Sequence, residues 1–159
     1  MHRPTSATIT IAREPYAADG PRWVVAQAEA ELVARYGGLD DGERGLTAAM
    51  FDPPAGVFVV GRGGSAGPPV GGVGVRAVAP GVGEVRRLWV DPVRRGLGVA
   101  RRLMAALEDA ACILGLTRLQ LATGERQPEA VALYESSGWE RVDDDVHGAM
   151  CGFRFTKAL

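Results

Sequence analysis

The 159-residue chain has few of the residue types from which disulfide networks, metal sites and nucleotide-binding loops are built. Its two cysteines, Cys112 and Cys151, are too few for a disulfide framework, and their apolar surroundings predict reduced core residues of a cytoplasmic protein. The two histidines are far apart and share no ligand-like spacing with the cysteines, so we expect no metal. The single lysine, Lys157, follows no glycine-rich stretch, which excludes the lysine-containing phosphate-binding loop of many nucleotide hydrolases.

Net charge is small and long apolar runs are missing. The net charge of -1 gives no basic field, so we expect neither nucleic acid nor an acidic membrane surface as a partner. No run approaches the roughly 18 apolar residues that a membrane span needs, and the first six residues lead into no apolar segment, which predicts no secretory signal. With 47% hydrophobic and 23% charged residues, the composition is typical of one soluble domain over residues 1–159.

Hydrophobic periodicity predicts strands and helices that follow one another along the chain. Glycine and proline mark the predicted ends, as at Pro21, Gly37, Gly115, Pro128 and Gly138. The pattern indicates a mixed α/β domain with helices on both faces of one sheet. The predicted strands are 7–12, 57–61, 70–78, 84–90, 118–123, 139–142 and 150–156, and the predicted helices are 21–36, 43–50, 98–115 and 128–137.

The turn from strand 84–90 into helix 98–115 carries the most informative motif, Arg95-Gly96-Leu97-Gly98-Val99-Ala100. Glycine lets the backbone approach a ligand closely, and the first N–H groups of a helix have no partner within it. Together with the helix dipole these groups form a binding site for an anion such as a pyrophosphate. Arg94, Arg95, Arg101 and Arg102 would add charge, and a helix start without any ligand is the alternative.

Two segments in order resemble a known family. Leu88-Trp89-Val90-Asp91-Pro92, followed by Arg95-x-x-Gly98-x-Ala100, is similar to the acetyl-CoA signature of the GNAT superfamily of N-acetyltransferases. Downstream, Gln127-x-x-Ala130-x-x-Leu133-Tyr134 followed by Gly138-Trp139 resembles the next helix of that family. The resemblance is sharp over residues 84–142 and loose before them. It implies a central, mostly antiparallel sheet of six to seven strands flanked by about four helices.

The resemblance also implies the reaction: acetyl transfer from acetyl-CoA to a primary amine, by direct attack in a ternary complex. The main chain of Leu88 and Val90 would bind the pantetheine arm, and the N–H of Val90 would stabilise the oxyanion. The sequence favours a small or amino-acid-like acceptor. A protein N-acetyltransferase and a non-catalytic acyl-CoA-binding module of the same fold stay as alternatives. Dimerisation is common in this family, so a homodimer is left open beside the monomer. The positions implied in cofactor binding are Leu88, Trp89, Val90, Arg95, Gly96, Leu97, Gly98, Val99, Ala100, Arg101, Gln127 and Tyr134.

Two residues are candidates for proton transfer on the same resemblance. Tyr134 would protonate the departing thiolate, and its alternative is a buried helix tyrosine without a catalytic role. Glu84 would take the ammonium proton directly or through water, because an amine must lose its proton before it attacks a thioester. Its alternative is an exposed strand-end carboxylate. Asp91 and Glu125 are weaker candidates for the base, and His147 is expected to lie in a solvated turn.

Only charged residues indicate where the acceptor amine would bind. Asp40, Asp41 and Glu43 form an acidic cluster that could attract a cationic amine, although such runs are more often solvated loops. Arg86 and Arg87 could each hold a substrate carboxylate, since guanidinium pairs with it through two hydrogen bonds. Strand alternation places the two arginines on opposite faces, so we expect at most one to reach the site.

Overall fold

A computed structural model describes residues 8–39, 41–142 and 152–159, the side chain of Asp41 excepted. Within these residues seven strands form one sheet, and four α-helices accompany it. The strands are β1 (Ile9–Arg13), β2 (Gly56–Gly63), β3 (Pro69–Ala79), β4 (Val82–Val90), β5 (Arg118–Thr123), β6 (Glu140–Val142) and β7 (Phe153–Ala158). The helices are α1 (Asp19–Tyr36), α2 (Asp41–Arg44), α3 (Val99–Ile113) and α4 (Pro128–Ser136), with 3-10 turns at Ala48–Phe51 and Pro92–Arg94.

The sheet has the strand order β1-β2-β3-β4-β5-β7-β6. Only β4 and β5 pair in parallel, and every other neighbouring pair is antiparallel. The prediction of a mostly antiparallel sheet of six to seven strands with about four helices is therefore confirmed. The single parallel pair arises because α3 crosses over between β4 and β5, whereas the first four strands follow one another antiparallel.

Helices cover both faces of the sheet, as the sequence predicts. Successive residues of β2 point to opposite faces, so Val59 packs in the core beneath α3 while Phe58 packs in the core beneath α1. Leu103 and Leu107 of α3 are fully buried. Glycine at position 74 of β3 is required by this packing, because a Cβ there would lie 2.7 Å from Cδ1 of Phe51.

Proline and glycine set the helix ends. Pro21 lies in the first turn of α1, two residues later than the start at Asp19, and Gly37 closes the helix at φ 81°. Pro128 opens α4, and Gly115 follows α3 at φ 84°. Glycine tolerates this left-handed conformation at little cost, so it marks the places where a helix can stop.

One expected helix and the expected burial of Cys112 were wrong. The predicted helix 43–50 is two pieces, α2 ending at Arg44 and a 3-10 turn beginning at Ala48, with Gly45 between them. Cys112 is exposed, because it lies on the side of α3 away from Leu107 and Ala111. Apolar neighbours in sequence do not fix burial on a helix, where the 3.6-residue period decides the face. Cys151 lies outside the described residues.

Candidate active site

The sheet opens between β4 and β5. Their parallel pairing covers three positions, from Val82 opposite Arg118 to Glu84 opposite Gln120. Beyond that point β4 continues to Val90 and β5 to Thr123 without pairing to each other. The two strands thus leave a cleft that exposes main-chain groups inside the sheet.

A β-bulge in β4 turns side chains toward this cleft. Gly72 of β3 lies opposite Trp89 and Gly74 opposite Arg86, so Arg87 and Leu88 together oppose a single residue, Val73. Arg87 has φ 63°. The bulge inverts the side-chain alternation: Val85 packs in the core beneath α3, whereas Trp89, four residues on, packs beneath α1.

The bulge corrects the expected placement of the two arginines. Nη1 of Arg86 donates to Oε1 of Glu43 at 2.8 Å, and Nη1 of Arg87 lies 2.9 Å from Oε2 of the same carboxylate. Both guanidinium groups therefore reach one side of the sheet, where simple alternation had predicted opposite sides. The extra residue of the bulge accounts for the difference.

A cavity of about 100 Å³ occupies the cleft, with walls from both strands and three helices. Glu31 and Leu32 of α1, Glu43 of α2 and Tyr134 of α4 contribute to it, together with Arg86, Arg87, Leu88 and Thr123. Among the acidic cluster 40–43, Glu43 is thus the described member at the cavity. Asp40 and the side chain of Asp41 lie outside the described residues, as does His147.

A larger groove of about 600 Å³ adjoins this cavity and shares Glu31, Leu88, Gln127 and Ala130 with it. It runs from the end of β4 past the start of α3 to α4. Most positions that the sequence assigned to cofactor binding line it: Leu88, Trp89, Val90, Arg95, Gly96, Gly98, Val99, Ala100, Arg101 and Gln127. Tyr134 lines the smaller cavity instead, and Leu97 lies outside both linings and is exposed.

The start of α3 is open toward the groove. Gly96 and Gly98 have φ 79° and 81°, and no heavy atom lies within 4 Å of the place where either would carry a Cβ. The first bond of the helix joins the N–H of Arg102 to the carbonyl of Gly98 at 3.2 Å. The N–H groups of the three preceding residues thus have no partner within the helix, which favours an anion there.

The main chain of Val90 also faces the groove. The N–H of Asp91 donates to the carbonyl of Val70 in β3 at 2.8 Å. Neighbouring residues of an antiparallel strand direct their N–H and C=O groups to opposite edges. The carbonyl of Val90 accordingly accepts a hydrogen bond from Nε of Arg95 at 2.9 Å, on the side away from β3. The N–H of Val90 points to that same side.

Arg95 of the loop and Arg101 in the first turn of α3 are tied to neighbouring helices. Nη2 of Arg95 lies 2.9 Å from Oε1 of Glu31, which also pairs with Arg35. Nη2 of Arg101 donates to the Ser136 hydroxyl at 2.6 Å. Sequence reasoning missed Glu31, although its position beside Leu32 on the inward face of α1 was a usable signal.

Tyr134 lies on the cavity wall with 5% of its surface exposed. Its ring packs against Trp139 and Phe155, with centroids 5.6 and 5.5 Å away. Burial raises the pKa of the Tyr134 hydroxyl above its usual value, because the phenolate would lose its hydration. The hydroxyl is therefore protonated at neutral pH and can act as a proton donor.

Glu84 is held by two arginines at the root of the cleft. Its Oε1 accepts from Nε of Arg76 at 3.2 Å and from Nε of Arg86 at 2.6 Å. The carboxylate is not among the cavity walls, and Arg86 connects it to Glu43. Of the weaker candidates, Asp91 accepts from the N–H of Val93 at 3.1 Å and so caps the turn before α3.

Gln127 stands where β5 turns into α4 and borders both cavities. Its Oε1 lies 3.4 Å from the Thr123 hydroxyl and from the N–H of Gly124, and 3.5 Å from the Tyr36 hydroxyl. These long contacts hold the amide beside the groove.

In the described part of the chain, no three His, Cys, Asp or Glu side chains group in a way that could hold a metal ion. None of its helices is both long and apolar enough to cross a membrane.

Known proteins resemble this chain in sequence and in fold. Residues 10–139 match the model of the acetyltransferase (GNAT) family. The "IAA acetyltransferase" of Azospirillum brasilense is 44% identical over 59 residues, which are 37% of this chain and 39% of that protein. The chain thus matches well under half the length of that curated relative.

Two solved structures share the fold. A candidate acyl-CoA N-acyltransferase from Klebsiella pneumoniae superposes with a TM-score of 0.76 at 24% identity, covering 97% of this chain and 99% of that one. A GNAT family acetyltransferase from Elizabethkingia anophelis, solved with acetyl-CoA bound, gives a TM-score of 0.66 at 14% identity over 98% of this chain and all of that one.

Proposed function

Because the chain belongs to the acetyltransferase (GNAT) family of acyltransferases, we propose that it transfers the acetyl group of acetyl-CoA to the primary amine of a small, amino-acid-like acceptor. The observation that carries the proposal is the continuity of two spaces in one cleft. A groove with open main-chain N–H groups at Val90 and at the start of α3 joins a small cavity that holds a protonated tyrosine.

The groove suits acetyl-CoA in size and in donors. Its volume of about 600 Å³ can take an extended pantetheine arm. The open backbone at Gly96 and Gly98 leaves room for a diphosphate beside the N–H groups of residues 96–101. Arg95 and Arg101 add positive charge nearby, and the main chain of Leu88 would bind the arm.

The reaction needs a base, an oxyanion donor and an acid. Glu84 accepts the ammonium proton through a water molecule, because its carboxylate lies just outside the cavity wall. The N–H of Val90 stabilises the negative oxygen that forms when the amine attacks the thioester carbonyl. The nitrogen still carries one extra proton after the attack and releases it to solvent as the tetrahedral intermediate collapses. Tyr134 gives its proton to the departing thiolate and regains one from solvent. The transfer is direct, so no covalent bond to the protein forms.

The acceptor side supports a small substrate. The cavity of about 100 Å³ is closed by α1 and α2 and is lined by both carboxylates and guanidinium groups, a setting for a polar amine rather than an apolar one. We place the reaction in the cytoplasm, where the exposed thiol of Cys112 would stay reduced.

The first test is the thermal unfolding midpoint with and without acetyl-CoA. A ligand that binds only the native state raises the midpoint by mass action, by several degrees at millimolar concentration. NAD serves as the control and should give no rise. No rise with acetyl-CoA would contradict the proposal. A rise without thiol release for any amine would favour a non-catalytic acyl-CoA-binding module.

A further inference from the structure

Arg87 occupies a backbone conformation that arginine seldom adopts. It is the only residue other than glycine with positive φ in the described part of the chain, at 63°. Glycine or asparagine would take up this conformation at a lower cost. Strain of this kind persists where the surrounding structure offsets it, often at sites that bind a ligand. The strained conformation at the bulge therefore suggests a function for the Arg87 side chain.

The guanidinium group of Arg87 is buried but only partly satisfied. Its side chain is 1% exposed; Nη2 donates to the carbonyl of Glu43 at 3.0 Å and lies 3.0 Å from Oε1 of Glu29. Nη1 lies 2.9 Å from Oε2 of Glu43, in poor alignment for a hydrogen bond. Nε has no hydrogen-bond partner among the described residues. Native proteins rarely leave a buried N–H unpaired, and Arg87 is part of the cavity wall.

Among the residues that the structure describes, the ion-paired charges around Arg87 are balanced. Three guanidinium groups, those of Arg76, Arg86 and Arg87, meet the carboxylates of Glu29, Glu43 and Glu84 in one connected group of ion pairs. A further anion is not needed to neutralise the cluster. What the buried Nε of Arg87 lacks is a hydrogen-bond acceptor, which an uncharged oxygen can supply as well as a charged one.

We propose that the acceptor carries a carbonyl or carboxylate oxygen close to its amine, and that Nε of Arg87 donates a hydrogen bond to that oxygen. This rests on the proposed acetyl transfer and narrows its substrate class to amino acids and their amides or peptides. Alkylamines and polyamines lack the oxygen and would leave the buried N–H unpaired. Arg87 is in this view the residue that selects the acceptor.

The test compares three acceptors that share one side chain: an amino acid, its amide and the corresponding alkylamine. Thiol release gives kcat/KM for each. We expect the two oxygen-bearing acceptors to exceed the alkylamine by at least about 100-fold, because a site with a buried donor rejects an analogue that leaves the donor unpaired. Alanine, alaninamide and ethylamine form a set small enough for the cavity.

Arg87→Lys is the central variant. Lysine bears the same backbone strain and the same charge but has no Nε–H at that position. In this variant kcat/KM for the oxygen-bearing acceptors should exceed that for the alkylamine by no more than roughly three-fold. The rise in unfolding midpoint with acetyl-CoA should stay as it is in the wild type. Arg118→Lys, an exposed arginine on β5, is the matched control and should keep the full preference.

A second variant keeps the inference testable if Arg87→Lys does not fold. Glu29→Gln removes one negative charge from the balanced cluster at a side chain that is 39% exposed. The ratio of kcat/KM for the amino acid to kcat/KM for its amide should then rise by a few-fold, because the cluster becomes net positive and attracts the carboxylate. An unchanged ratio of amino acid to amide would overturn the inference.

The outcomes separate this inference from the proposed function. If acetyl-CoA raises the midpoint and the alkylamine reacts as well as the amino acid, Arg87 does not select the acceptor, and acetyl transfer stands. The same conclusion follows if Arg87→Lys keeps the preference. If acetyl-CoA causes no rise and no acceptor releases thiol, the proposed function falls and the acceptor class falls with it.

Discussion

Arg95 donates a hydrogen bond from Nε to the main-chain carbonyl of Val90 at 2.9 Å, so the loop that precedes α3 is tied to the end of β4. The same guanidinium group reaches Glu31 of α1 through Nη2 at 2.9 Å. One side chain thus links the strand end, the loop and α1. It holds the open N–H of Val90 and the start of α3 in fixed relation along the groove.

Arg95→Gln should weaken acetyl-CoA binding about ten-fold, because the groove loses a positive charge and the loop loses a charge-assisted hydrogen bond. Titration calorimetry measures the dissociation constant. Arg118→Gln, far from the groove, should leave it unchanged. Equal affinities in the wild type and in Arg95→Gln would mean that the loop keeps its position without this contact.

Tyr134→Phe should lower kcat about 100-fold, within the usual range for loss of a general acid. The acetyl-CoA dissociation constant should hardly change, because the ring and its packing on Trp139 and Phe155 remain. Steady-state kinetics and calorimetry on the same protein separate the two effects. An equal loss in both, or in neither, is incompatible with the acid role.

The pH profile provides an independent check on Tyr134. Burial raises the pKa of its hydroxyl, so the group stays protonated to a higher pH than a free tyrosine, whose pKa is about 10. The proton donor is then present throughout the neutral and mildly alkaline range. We expect no fall in kcat between about pH 7 and pH 9.5 from loss of this proton. A fall there that is missing in Tyr134→Phe would contradict the raised pKa, because it would show that the hydroxyl loses its proton in this range.

Gly98→Ala should reduce acetyl-CoA binding, whereas Gly115→Ala should not. The two glycines are matched, with φ of +81° and +84° and no heavy atom within 4 Å of the added Cβ. Each variant should therefore lose a similar 1–2 kcal/mol of stability, about the cost of the left-handed conformation for an L-residue. Only Gly98 borders the groove. The rise in midpoint with acetyl-CoA should shrink in the first variant alone, and Gly98→Trp should abolish it.

A similar loss of the rise in both alanine variants would point to backbone strain rather than to contact with the ligand. An unchanged rise in Gly98→Trp, in a protein that still folds, would show that the diphosphate binds elsewhere.

Glu84→Gln should lower kcat by 10–100-fold, roughly the low end for a general base that acts through water. Arg76 and Arg86 would lose a charged partner, so the unfolding midpoint should also fall. Glu14→Gln breaks the 2.7 Å ion pair with Arg62, remote from the cleft, and should change stability only. Unchanged turnover in Glu84→Gln would pass the role of base to another group.

Much of the fold was predictable because it depends on local patterns. The period of Leu103, Leu107 and Ala111 predicted α3, and the alternation of residues 118–123 predicted β5 without error at either end. The turn from β4 into α3 was likewise visible, since glycines at positions 96 and 98 permit the positive φ that this turn requires. Cys112 shows the limit: its neighbours are apolar, but the helix phase directs it to solvent.

The sequence by itself determined most of the order of elements, the family and the segment that joins β4 to α3, because these depend on periods and spacings within about fifty residues of chain. Tertiary structure decided the ion pairs at the smaller cavity. A bulge in β4, set by its register against β3, brought Arg86 and Arg87 to one carboxylate of α2. Alternation along one strand cannot reveal this, because a bulge is a property of two paired strands. The ion pairs that result join residues 43 or more positions apart, which only the folded chain places in contact.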